Sequence, residues 1–229
     1  MFKSISDLHF KYNCDNEKVA MLCSVFYGKT ESLDILKEHI TLLEQNIYIK
    51  ICDNVELLNQ SVFNLSKIIE PKDNATARTY FEAYINTLFS LTDISAQLFY
   101  NILGLKTDPN FLYFYKLPNL FDCKNHAKTL YEVSNFISSD DYKYFNNLNN
   151  NIKHRSMISA KHTINLGENR NLFSINEFEH NGIVYPSLDS ENLYKKSGNF
   201  VEKLKICLRS VEWKYNKNQI NIIYSSFAV

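Results

Sequence analysis

Glycine and proline are scarce, five and four in 229 residues. So few turn-formers disfavour a loop-rich β fold and favour long uninterrupted elements. Net charge is absent as well: 25 basic residues balance 25 acidic ones, which excludes the basic stripe of a dedicated duplex-DNA binder. No apolar run reaches the roughly 18 residues of a membrane span, and MFKSISDLHFKYN lacks the apolar stretch of a signal peptide. A cytoplasmic chain with no membrane partner is expected. The five cysteines (Cys14, Cys23, Cys52, Cys123, Cys207) show no CxxC or other ligand spacing, so free thiols in a reducing compartment are expected, and no metal. GxxxxGKS/T, GxGxxG, HExxH and GxSxG are all missing. Their absence removes the commonest nucleotide-binding, zinc and serine-hydrolase chemistries and leaves no cofactor implied.

What is present is apolar and aromatic, 45% and 14% of the chain, enough for one sizeable core. Residues 30–70 hold neither Gly nor Pro, and apolar residues from Leu33 and Leu36 through Ile40, Leu43, Ile47 and Ile51 to Ile69 recur three or four apart. That spacing predicts a long helix preceded by Gly28 and stopped by Pro71, on the order of 60 Å long if continuous, or broken where the run of fours falls between Ile47 and Val55. Its stripe must pack on the next helices or on a second copy of the chain. The upstream CSVFYG reads as a strand or a docked segment.

A second helix is predicted over 74–103, ended by Gly104. One side is apolar; another carries Arg78, Glu82, Asn86, Ser90, Asp93, Gln97 and Asn101 three or four apart. This row is either a solvated face or the lining of a groove. A third helix is expected over 121–136, and a fourth starts near 138–141, where Ser precedes acidic residues. Beyond Met157 the pattern changes: HTINL, NLFSINEFEH and GIVYP read as strands, with His180-Asn181-Gly182 as a hairpin turn. A last helix over 189–215 places Leu193, Phe200, Leu204, Cys207, Leu208 and Val211 inward. The expected fold is mainly α: a helical bundle over 73–229 with a β-hairpin insertion at about 162–186, and an N-terminal segment with its long helix over 1–72.

The chemistry concentrates in NNNIKHRSMISAKHT, residues 149–163, which places Lys153, His154, Arg155, Lys161 and His162 within ten positions. Residues 140–229 hold 12 Lys and Arg against 9 Asp and Glu, a net +3, while residues 1–139 hold 13 against 16, a net −3. On a continuous helix Arg155 and His162, seven apart, would share one face. A guanidinium beside an imidazole suits phosphodiester cleavage, neutralising charge on the phosphate and moving a proton near neutral pH. The competing reading is a basic helix C-terminus that complements the macrodipole.

Two segments, ARTYFEAYINTLFSLTDISAQLFYNILG and YKYFNNLNNNIKHRSMISAKH, resemble the HEPN superfamily, particularly its larger bacterial members with a long N-terminal helix. The resemblance covers roughly residues 74–215. The family signature is an arginine, four to six residues, then a histidine; Arg155 and His162 meet it with six. The resemblance implies an up-and-down bundle that homodimerises, joining two Arg–His pairs in a composite cleft. It implies a metal-independent endoribonuclease, a toxin or antiviral effector, in which the ribose 2′-hydroxyl attacks the adjacent phosphate. An antitoxin or another defence protein would be its partner. By position, Arg155 would stabilise the phosphorane and His162 would serve in proton transfer or phosphate positioning. Glu82 or Asp93 would orient them, with Lys153, His154 and Ser156 in support. Ser156 departs from the Asn usual after the arginine in active members. Many members have lost catalysis and bind RNA, nucleotide or protein instead. A helix ending before His162 would favour that alternative.

Overall fold

The computed structural model describes residues 16–53, 69–154, 160–165, 168 and 170–211. The chain is mainly α, of helical-bundle type. Helix α1 spans Asn16–Asp53 and α2 spans Pro71–Leu103; two 3-10 segments, Pro109–Phe111 and Phe114–Asn119, lead to α3, Ala127–Ser138, and α4, Asp140–His154. Five short strands follow: β1 Ala160–Asn165, β2 Arg170–Ile175, β3 Phe178–His180, β4 Ile183–Tyr185 and β5 Leu188–Asp189; then α5, Ser190–Arg209. No helix among the described residues is long and apolar enough to cross a membrane.

Local signals account for most element ends. Gly104, at φ +61°, takes the left-handed position after α2, and the Leu105 N–H reaches back to the Tyr100 carbonyl at 3.2 Å, closing the helix end. Pro71 opens α2, a position where its missing N–H costs no helical bond. The β3–β4 hairpin turns on Asn181 and Gly182, both at positive φ, with His180 opposite Ile183, as the two-residue turn requires.

Four expectations are corrected. Helix α1 begins near residue 16 and runs through Gly28 and CSVFYG, because Leu22, Cys23 and Phe26 before it and Leu33 after it are all buried. Packing there outweighs the roughly 1 kcal/mol that a helical glycine costs. The third helix starts at Ala127, not Phe121. Asp122 binds the Lys124 N–H at 2.9 Å and Asn125 Nδ2 at 2.5 Å, a turn that competes with helix at this point. The NLFSINEFEH run breaks after Ile175: β2 joins β1 and β5 in one antiparallel sheet, while β3 pairs only with β4. The last helix, expected over 189–215, stops at Arg209, where Ser210 and Val211 turn the chain; residues 54–68, 155–159 and 212–215 fall outside the described residues.

The chain divides into two compact units, each assembled from separate stretches. The first holds the described residues of 1–29, 90–139 and 201–229. Its core is aromatic: Phe99 meets Phe121 at 5.6 Å and Phe114 at 6.3 Å, and Phe114 meets Phe136 edge-on at 5.7 Å. Val133, Leu204 and Leu208 are buried in the same unit. The second unit holds the described residues of 30–89 and 140–200. There Phe145 packs edge-on against Phe200 at 5.4 Å and Phe81 against Phe173 at 6.1 Å. Ile40, Ile47, Ile51 and Ile85 are also fully buried.

Candidate functional site

His162 lies in β1, directly opposite Phe173 of β2, and the two rings stand 4.3 Å apart. The alternation of an antiparallel pair puts Asn171, two residues before Phe173, on the same face of β2. His162 Nδ1 stands 3.2 Å from Asn171 Oδ1, and Nε2 stands 2.9 Å from Asn74 Oδ1, from the first turn of α2. Burial holds the imidazole below its ordinary pKa, which favours the neutral ring. A neutral ring has one donor and one acceptor. The Asn171 amide nitrogen is buried and makes no hydrogen bond, so turning that amide lets it donate to Nδ1 while Nε2–H donates to Asn74. Either way both ring nitrogens are engaged within the protein.

The first turn of α2 supplies a second tie. Asp73 is buried and accepts the Glu70 N–H at 3.1 Å and Lys50 Nζ at 3.2 Å. Adjacent residues of one helical turn therefore reach α1 through Asp73 and β1 through Asn74.

His162 belongs to a strand, β1, so the one continuous helix that would put it on a face with Arg155 does not extend to it. Arg155 and Ser156 lie outside the described residues. His154 closes α4, and Lys153, in the same turn, is exposed. Glu82 is half-buried in the second unit, whereas Asp93 is exposed in the first. Along the polar row of α2, Asn86, Asp93 and Gln97 are exposed, the solvated-face reading for that part of the helix.

Sequence reasoning missed Glu44. It sits on the buried stripe of α1 with Ile40, Ile47 and Ile51 and is only 6% exposed. One carboxylate oxygen accepts the Phe173 N–H at 2.7 Å and Ser190 Oγ at 2.5 Å. It thereby completes the β2 edge just where β5 gives way to α5. Burial pushes its pKa up to about 7, against the lowering effect of those two hydrogen bonds. The available signal was the spacing: an acid four residues after Ile40 and three before Ile47 falls on the apolar stripe itself. Beside it, burial raises the Tyr194 phenol, and Tyr84, hydrogen-bonded to Ser197 at 2.5 Å, is raised to about 12. Neither is an acid or base near neutral pH.

Among the described residues, no three His, Cys, Asp or Glu side chains stand together as a metal site. Cys23, Cys52, Cys123 and Cys207 are free thiols. Compared with known proteins, the chain matches no family model, no curated protein and no solved structure.

Proposed function

We propose that this chain is a cytoplasmic, homodimeric HEPN-like module that binds RNA through the basic segment leaving α4 and does not cleave it. The observation that carries this reading is the state of His162: its two ring nitrogens are spent on Asn74 and Asn171. A catalytic imidazole needs one nitrogen directed at the reacting group, with the proton within hydrogen-bond reach. The exposed Lys153 and Lys161 flank Arg155 in sequence and supply the charge that phosphate oxygens attract, independent of base sequence.

The test is incubation of the purified chain with labelled total RNA in excess EDTA, followed by gel analysis and by binding to a 12-base-pair RNA duplex. Intact RNA and duplex binding that weakens roughly tenfold in Lys153→Ala/Arg155→Ala are expected. Cleavage by the wild type that His162→Ala abolishes would overturn the reading in favour of the endoribonuclease that the resemblance implies. Intact RNA with no duplex binding would remove RNA as the ligand.

A further inference from the structure

The segment Phe111–Tyr115 alternates. Phe114 is buried against Phe99 and Phe136, while Phe111, Tyr113 and Tyr115 are 62%, 44% and 53% exposed. Three large aromatic rings exposed within five residues present apolar surface that water does not favour. They are also held rather than loose. Phe114 and the buried Leu117 anchor the segment from inside, and a 3-10 turn capped by Asp108 enters it. Tyr113 and Tyr115 stack on each other at 5.7 Å with planes 26° apart. Lys116 Nζ lies 4.9 Å over the Tyr113 ring and 5.8 Å from that of Tyr115.

The surrounding charge favours an anion. Between Gly104 and Tyr131 the chain carries Lys106, Lys116, Lys124 and Lys128 against Asp108 and Asp122, and all four lysines are exposed. We propose that this segment of the first unit is a stacking platform for single-stranded RNA: unpaired bases lie on Tyr113, Tyr115 and Phe111, and Lys116 and its neighbours meet the phosphates. Pre-arranged rings beside cations are the elements of strand binding without sequence preference, since every base offers a π face. A duplex keeps its bases stacked inside and cannot use the rings. The choice of RNA rests on the reading above; the stacking itself does not.

The experiment measures fluorescence anisotropy of labelled U12 and of the 12-base-pair RNA duplex with the full chain. The variants are Tyr113→Ala/Tyr115→Ala, Tyr113→Phe/Tyr115→Phe and Lys153→Ala/Arg155→Ala. Both tyrosine positions changed are exposed, and thermal melting checks each fold. The alanine pair is expected to weaken U12 binding at least about tenfold and to leave duplex binding unchanged, while the phenylalanine pair retains U12 binding. U12 binding unaffected by the alanine pair overturns the platform, and so does its loss in the phenylalanine pair, which would assign it to the hydroxyls. Equal weakening for duplex and U12 overturns it too. No U12 binding by the wild type likewise rejects the platform; the duplex arm with Lys153→Ala/Arg155→Ala then still decides the reading of α4. Binding of U12 but not of the duplex by the wild type leaves the platform standing and that reading rejected.

Discussion

In the first unit two buried serines bond within their own stretch of chain, and the buried Cys207 thiol reaches the Glu132 carbonyl at 3.4 Å. Ser95 Oγ donates to the Leu91 carbonyl one turn back at 2.7 Å, and Ser210 Oγ to the Cys207 carbonyl at 2.6 Å. In the second unit the buried polar groups reach across the chain. Glu44 meets Phe173 and Ser190, Tyr84 meets Ser197, and His162 meets Asn74. Lys196 pairs with Asp141 at 2.9 Å between α5 and α4. The difference has a physical meaning. A core of packed aromatics is indifferent to pH and tolerates approximate alignment. Long-range polar pairs are directional, so they tie strand and helix registers to one arrangement and make that arrangement titrate. The first unit thus keeps its distinctive chemistry on its surface, at the exposed tyrosines, whereas the second keeps it inside.

Three substitutions would break or sharpen that contrast. The largest expected effect is Phe99→Ala in the aromatic core, a loss of about 3–5 kcal/mol. Urea unfolding at pH 5 and pH 8 should give the same loss at both; a strong pH dependence would contradict the description of that core. Next is Glu44. Its folded pKa of about 7 lies above the ordinary 4.5, so its stabilising contribution is complete below pH 4.5 and is lost as pH rises through 7. Between pH 5 and pH 8 the wild type should lose on the order of 2–3 kcal/mol more than Glu44→Gln, at about 1.4 kcal/mol per pKa unit. His162 acts in the opposite sense, because burial lowers its pKa: its contribution falls away as the solution is acidified below pH 6.5. That effect is common to both proteins and cancels in the difference. Parallel stability–pH curves would show that Glu44 is not the titrating group. The smallest is Tyr84→Phe, which removes the bond to Ser197 and should cost about 1 kcal/mol. A Tm unchanged by that substitution would mean that Ser197 is satisfied by its other contact, the Tyr194 carbonyl at 3.0 Å.

Legibility followed the range of the signal. The end of α2 at Gly104, the Asn181-Gly182 hairpin and the inward set of α5 were readable, because a glycine at positive φ and a three-four spacing act within a turn or two. Leu193, Phe200, Leu204, Cys207, Leu208 and Val211 are all buried, as the spacing predicts. Gly28 misled for the converse reason: a residue that ends helices locally is overruled when both flanks are buried. The expected start of α3 at Phe121 fails because Asp122 makes a turn in place of the helix's first residues.

The candidate site was the least legible part. Lys153, His154, Arg155 and His162 form a cluster in sequence, but the strand pairing decides that His162 turns toward Phe173, Asn171 and Asn74. Asn74 lies 88 positions away, and no local pattern marks it. Glu44 is the sharper case, an acid whose partners stand 129 and 146 residues distant. By itself the sequence determined the helical class, the hairpin and the apolar faces, because those follow from periodicity and backbone preference. Only the tertiary structure decided which polar side chains are spent on one another, because a buried hydrogen bond depends on where distant elements bring their atoms.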